Sequence, residues 1–272
     1  MGSIAKEVAA ELLPFLRVFN DGSAERLLGT PIVPPSRDED PETGVSSKEI
    51  TISQDPPISA RLCLPRLTAP NQKLPILVYF HGGGFCIESA FSLTEIKYMN
   101  SLVSLAKVVA ISVEYSAGAN ISHNMAMRVG SEGLNGDVKL LGTYLTHPYF
   151  WGSKPVGSES SIDSEQHFPY RVCSFLYPSA PGGIDNPMIN PVVEGAPSLA
   201  GLGGSRLLVS VAEKDELRER STLYYNAVKE SGWKGAVELI EVEGEDHSFH
   251  IFNYKTKNAK HLIKRLASFL PK

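Results

Sequence analysis

No stretch of this 272-residue chain stays apolar long enough to span a bilayer. Its first residues, Met1-Gly2-Ser3-Ile4-Ala5-Lys6-Glu7, lack the continuous apolar run of a secretion signal, so a cytoplasmic protein without a membrane partner is the expectation. Cysteine is scarce: Cys63, Cys86 and Cys173 are too few and too widely spaced for a disulfide framework or a metal cluster, and they read as buried small hydrophobes. A strong charge of either sign is missing as well. A net charge of −4 gives no reason to expect nucleic acid or an anionic surface as a partner. There is no internal repeat, no low-complexity tract, no dinucleotide glycine spacing and no P-loop lysine.

What is present is an ordinary globular composition, 42% apolar, in a chain long enough to bury one substantial core. A single domain over residues 1–272 is expected, with residues 1–24 as a small N-terminal cap. Ile4, Val8, Leu12, Leu16 and Phe19 recur at helical spacing and predict an amphipathic helix over the first twenty residues, kinked or restarted at Pro14. Short strands are predicted at Glu25 to Leu28, Ser47 to Ile52 and Ser59 to Leu64.

Beyond residue 70 the pattern changes to apolar strands followed by helical segments, which predicts a mostly parallel sheet with helices on both faces. Strands are expected at Ile76 to Phe80, Val108 to Val113, Leu140 to Leu145, Leu207 to Val211 and Val237 to Val242. Helices are expected at Leu93 to Leu105, Ala117 to Val129, Glu216 to Glu230 and Thr256 to Leu270. The irregular stretches Pro148 to Gln166 and Ser179 to Ser205 are placed as substrate-contacting loops.

Two short motifs carry chemistry. His81-Gly82-Gly83-Gly84-Phe85 follows the apolar run Leu74 to Phe80. Three consecutive glycines after a buried strand are costly in chain entropy, and their use is to expose backbone amides with no side chain in the way. Gly83 and Gly84 would donate N–H groups to an oxyanion, Ala117 would supply a third, and the His81 ring would anchor the loop. The second motif, Ser116-Ala117-Gly118-Ala119-Asn120, follows the strand ending near Tyr115 and opens a helix, the setting of a nucleophile elbow. Small residues at Ala117, Gly118 and Ala119 suit a sharp turn, although a serine there could also be a plain helix cap.

The remaining groups occur in the order Ser, Asp, His. Asp215 lies just past the strand ending at Val211, and an aspartate there can equally be a helix cap. Of the seven histidines only His247, His250 and His261 follow it. His247, behind the turn Gly244-Glu245-Asp246 after the last strand, is preferred as the base; His261 sits in a basic helix, and His123 is expected to pack in the core.

With these residues the chain resembles the plant carboxylesterases of the hormone-sensitive-lipase-like α/β-hydrolase group, and within it the 2-hydroxyisoflavanone dehydratase branch. The likeness also rests on Leu12-Leu13-Pro14 with Asp21-Gly22-Ser23, on Phe150-Trp151-Gly152-Ser153-Lys154-Pro155, on Pro181-Gly182-Gly183-Ile184-Asp185-Asn186-Pro187 and on Lys214-Asp215-Glu216. The resemblance implies an α/β-hydrolase fold and a cofactor-free enzyme. It would act on small esters through Ser116, Asp215 and His247, or dehydrate a hydroxylated isoflavanone with the same groups. It also allows a ligand-binding form without turnover, against which the retained His247 argues.

The resemblance further implies a segment that this chain lacks. Between Val113-Glu114-Tyr115 and the nucleophile, the family carries a helix and one more strand. Here Tyr115 joins Ser116 directly, which reads as an internal deletion. Glu114 then stands where the elbow's first glycine would be, and Tyr115 where the acidic residue would be. One strand must fill one of two positions beside the Ile76 strand. The expectation is that it takes the one that keeps Ser116 by the glycine loop, with reduced stability and weak activity.

Overall fold

The structure is a computed structural model that describes residues 6–113, 117–161 and 164–270. Its N-terminus corrects the sequence expectation: the described residues form no helix there. Instead β1 (Val8–Leu12), β2 (Leu16–Phe19) and β3 (Ala24–Arg26) make a small antiparallel sheet. Pro14 is the physical reason, because it has no N–H for a helical bond and its ring clashes with the preceding turn. The chain reverses there, with Phe15 N–H donating to Leu12 O at 2.8 Å and Leu12 pairing directly with Leu16. Both leucines stay buried, as a helix would also have arranged.

The body is two half-sheets. In the first, β4 (Ser46–Gln54), β5 (Pro57–Leu64), β6 (Ile76–Phe80) and β7 (Val109–Val113) lie in the order β4-β5-β7-β6. In the second, β8 (Thr143–Thr146), β9 (Arg206–Ala212) and β10 (Ala236–Val242) are parallel in the order β10-β9-β8. Among the described residues six α-helices complete the frame: α1 (Leu93–Ala106), α2 (Gly118–Glu132), α3 (Phe168–Leu176), α4 (Arg218–Glu230), α5 (Phe249–Phe252) and α6 (Lys257–Phe269). The first half-sheet and β9 pack one face against α1 and α6 through Tyr79, Tyr98, Leu102, Leu208 and Leu266. The opposite face of β9, with Leu207, Val209 and Val211, packs on Tyr224 and Val228 of α4 and Ala126 of α2. Burial on both faces explains why β9 reads as an unbroken apolar run.

The strand position differs from the expectation. β7 pairs with β5 antiparallel, Ala60 opposite Val113, and with β6 parallel, Ile76 opposite Val109. It therefore sits between β5 and β6, where it satisfies two edges at once. On the other flank of β6, among the described residues, no strand lies between β6 and β8. Helix α2 still starts across the end of β6, in contact with both β6 and β8.

Candidate active site

Strand β6 delivers the glycine loop. His81 is buried, and its Nδ1 donates to Gly82 O at 2.6 Å. Burial outweighs that bond and pulls the His81 pKa down to about 4, so the ring is neutral. Gly83 (φ 113°), Gly84 (φ 57°) and Phe85 (φ 62°) hold positive backbone angles, and Gly83 O accepts the amides of Cys86 and Ile87. For the glycines, the demand is conformational: a Cβ on Gly84 would meet nothing within 4 Å.

At Gly118 the demand is space. A Cβ there would lie 1.6 Å from Phe80 O, and its N–H donates to His81 O at 2.8 Å. The start of α2 is thereby clamped onto the end of the glycine-loop strand. Ala117, just before it, is buried and left-handed (φ 65°, ψ 50°). Ser116 lies outside the described residues, as do Glu114 and Tyr115.

The Asp215–His247 pair comes from the second half-sheet. Asp215 follows β9; its Oδ1 accepts Leu217 N–H at 2.9 Å, and its Oδ2 accepts His247 Nδ1–H at 2.8 Å. One oxygen of the carboxylate thus closes the turn ahead of α4, whose N-cap is Leu217, and the other holds His247. Burial would raise the Asp215 pKa, yet the nearby His147 and His247 outweigh it and hold the group well below the usual carboxylate range. With Nδ1–H given to Asp215, the His247 ring has its Nε2 lone pair available, and this half-exposed ring lines the cavity described below.

Two groups escaped the sequence reading. His147, at the end of β8, is buried with Nδ1 accepting Ser248 N–H at 3.0 Å and lying 3.3 Å from Asp215 Oδ2. It holds the loop that presents His247 and packs beside the Asp215 carboxylate. Its burial lowers its pKa despite the carboxylate. The Ser-Asp-His order points only to histidines after Asp215, whereas the signal for His147 is a histidine at the end of a predicted strand. The second is Glu95, buried in α1 beneath the glycine loop. Tyr79 OH donates to it at 2.8 Å and the Gly82 amide also bonds it, while burial lifts its pKa to about 7.

The other histidines have different surroundings. His123 is buried against Phe150 and Tyr224, with Nδ1 2.9 Å from Tyr224 OH, and burial lowers its pKa to about 4. His250 is buried against Tyr98 and His147. His261 is exposed on α6. His147, Asp215 and His247 place their ligand-type atoms within 4.8 Å of one another, a donor set that suits a divalent ion, but both Nδ1 atoms already serve Asp215 and Ser248.

These parts share one cavity of about 680 Å³, walled by Gly82, Gly83, Gly84, Ala117, Gly118 and His247 at one end and by β6 and β8 along its length. Of the two irregular stretches assigned to substrate, only Tyr149 reaches its wall among the described residues. The Trp151 loop is instead tied to the body. Arg220 donates to Glu159 at 2.8 and 2.6 Å and to Gly152 O, and its guanidinium lies over the Trp151 ring. No helix among the described residues is long and apolar enough to cross a membrane.

Residues 77–116 and 115–251 match a family described as alpha/beta hydrolase fold. A 2-hydroxyisoflavanone dehydratase of Glycyrrhiza echinata is 47% identical over 319 aligned positions, 98% of this chain and 97% of the relative. Probable carboxylesterase 2 of Arabidopsis thaliana is 37% identical, over 99% of this chain and 98% of the relative. Among solved structures, a thermostable esterase from Pseudomonas putida ECU1011 superposes with a TM-score of 0.68 at 20% identity, covering 85% of each chain, which speaks for the fold. The two matched stretches meet at Tyr115–Ser116. An alignment of 319 positions against 272 residues leaves part of the relative without a counterpart here.

Proposed function

The chain belongs to the α/β-hydrolase fold family, among plant carboxylesterases and 2-hydroxyisoflavanone dehydratases, and on that premise we propose that it hydrolyses small carboxylic esters. One observation carries the reading: the Asp215–His247 pair, 2.8 Å apart, opens on the same cavity as the glycine loop and Ala117. Ser116 is the nucleophile. His247 Nε2 takes its proton as Oγ attacks the acyl carbon, while Asp215 fixes the ring tautomer and steadies the imidazolium. The amides of Gly83, Gly84 and Ala117 hold the tetrahedral oxyanion. The Gly82 amide is engaged by Glu95, which supports giving that role to the two glycines that follow it. Collapse of the intermediate passes the proton from His247 to the departing alkoxide. Water, deprotonated by the same nitrogen, then releases the acid and restores Ser116.

Dehydration is the second reading, favoured by the 47% identity to a dehydratase. There His247 Nε2 would remove the carbon-bound proton next to the ketone and the amides would hold the enolate. The β-hydroxyl would depart as water with a proton returned from the ring, leaving the carbon–carbon double bond.

Incubation of the full chain with a p-nitrophenyl ester and, separately, a 2-hydroxyisoflavanone tells the two apart. Ester turnover that stops when a phosphonate labels Ser116 supports the first. Isoflavone formation without ester turnover replaces it with the second. No turnover of either, with Ser116 unlabelled, leaves a ligand-binding protein.

A further inference from the structure

Between β6 and β8 the sheet is open. Among the described residues β6 pairs only with β7 and β8 only with β9, so the edge Ile76–Phe80 and the edge Thr143–Thr146 face one another across the cavity. Their C-terminal ends meet at the mouth that holds Gly82 and His247, so the two edges run in the same direction. Apolar side chains along the walls are left uncovered: Ile76 is 67% exposed, Val78 51%, Leu141 52% and Met125 43%.

Such a slot makes two demands together. The uncovered side chains call for apolar cover, and the two rows of backbone N–H and C=O call for hydrogen-bond partners. Water meets the second demand and fails the first. A hydrocarbon ligand does the reverse, and burying unpaired backbone groups beneath it is costly. An extended peptide meets both, because its backbone pairs on each side while its alternate side chains cover the walls.

Chain length points the same way. The family match breaks at Tyr115–Ser116, and the relatives' unmatched segment would leave at Val113, beside Phe80, and return at Ala117, on the cavity wall. Ala117 lies at the mouth of this slot and Val113 one strand away, across Phe80. Charge points to one orientation: Lys139 lines the far end, beside the N-terminal ends of the strands, together with Arg206, whose guanidinium also holds Phe269.

We propose that this slot receives one extended apolar strand of another polypeptide. The guest would run parallel to β6 and β8, span about five residues or roughly 17 Å, and carry an acidic residue ahead of its apolar run, facing Lys139 and Arg206.

The probe is a fluorescent peptide with two glutamates ahead of the Val108–Val113 sequence, since Val109–Val113 already pairs in parallel with β6 on its other flank. The expected result with the full chain is saturable binding. Backbone amide exchange slows at residues 76–80 and 143–146, while the outer strands β4 and β10 stay unchanged. A peptide N-methylated at alternate residues keeps the side chains but loses the ladder, and binds at least about tenfold more weakly if a strand is what the slot takes. The Lys139→Glu chain weakens binding of the glutamate peptide about two- to fivefold, the size expected of an exposed charge pair. Equal binding of the N-methylated peptide, slowed exchange at β4 or β10 instead, or no saturable binding overturns the proposal. So does a slot already protected in a dimer of the chain, detected by sedimentation. None of these readouts uses turnover, so they stand or fall apart from the esterase reading.

Discussion

Glu95 couples the interior of α1 to the glycine loop through the Gly82 amide, and its pKa of about 7 makes that coupling sensitive to pH. Its folded pKa is raised above the ordinary 4.5, so its contribution to stability is complete below pH 4.5 and is lost as pH rises through about 7. The shift corresponds to about 3 kcal/mol. Buried His81 and His123, depressed to about 4, act in the opposite sense, their contribution being present above pH 6.5 and lost as pH falls toward 4. The clean measurement is therefore the difference between Glu95→Gln and the parent chain in urea unfolding. The variant should gain on the parent by about 3 kcal/mol between pH 5 and 8, and a constant difference would refute the ionisation. Asp215 offers a test of chemistry instead. Asp215→Asn presents an amide N–H to His247 Nδ1 and so reverses the ring tautomer, while the Leu217 N–H can still be accepted. The expected loss is about 10⁴-fold in kcat for a p-nitrophenyl ester, with a melting temperature near the parent's. A loss confined to KM would point to a binding role.

The elements differ in how far their sequences determine them. β9 reads directly because burial on both faces demands an unbroken apolar run, while β6 and β7 read from short apolar runs and β10 from its alternation, although one face of β6, with Ile76 and Val78, is exposed. The N-terminus did not, because Leu12 and Leu16 are four apart, a spacing shared by one helix face and by facing positions across a tight hairpin. Pro14 decides between these only once the chain reverses. Helix α3 had no predicted counterpart; it carries Pro169 in its first turn, where the missing N–H has no consequence. In the site, Asp215 and His247 were legible from order and post-strand position. His147 and Glu95 were not, since a charged side chain on an amphipathic helix ordinarily faces water, and only the three-dimensional fold puts Glu95 beneath Gly82. The N-terminal sheet has a function to test. Leu12 and Leu16 pack in one cluster with Cys86, Ala117, Tyr149 and Trp151, beside the end of the cavity that Ala117 and Tyr149 line. Leu12→Ala should cost about 2–5 kcal/mol if this sheet unfolds with the body. If the sheet melts alone, circular dichroism will show a low-temperature step while the main transition stays in place.

For the molecule as a whole, the weak point is the gap between its half-sheets, and the prediction concerns closing it covalently. The two halves are not independent, because Leu77 and Tyr79 of β6 share one core with Leu208 and Ala212 of β9 and with α6. They should melt together in a single transition even with the slot open. Insertion of the Glycyrrhiza echinata dehydratase segment between Tyr115 and Ser116 would add a strand that covers Ile76 and Val78, now 67% and 51% exposed. Covering those two side chains alone is worth about 2–3 kcal/mol, taking roughly half of the full burial value for each. A chain of this size gains about 2–4 °C in Tm per kcal/mol, so the restored chain should melt about 5–10 °C higher in calorimetry. In the restored sequence Ser116 follows the inserted segment rather than Glu114-Tyr115, as the family pattern expects. Ester turnover should therefore rise along with Tm. A rise in Tm without a rise in turnover would locate the defect in the sheet alone. No rise in either would mean that the slot is already closed in solution, and the half-sheet architecture would have to be given up.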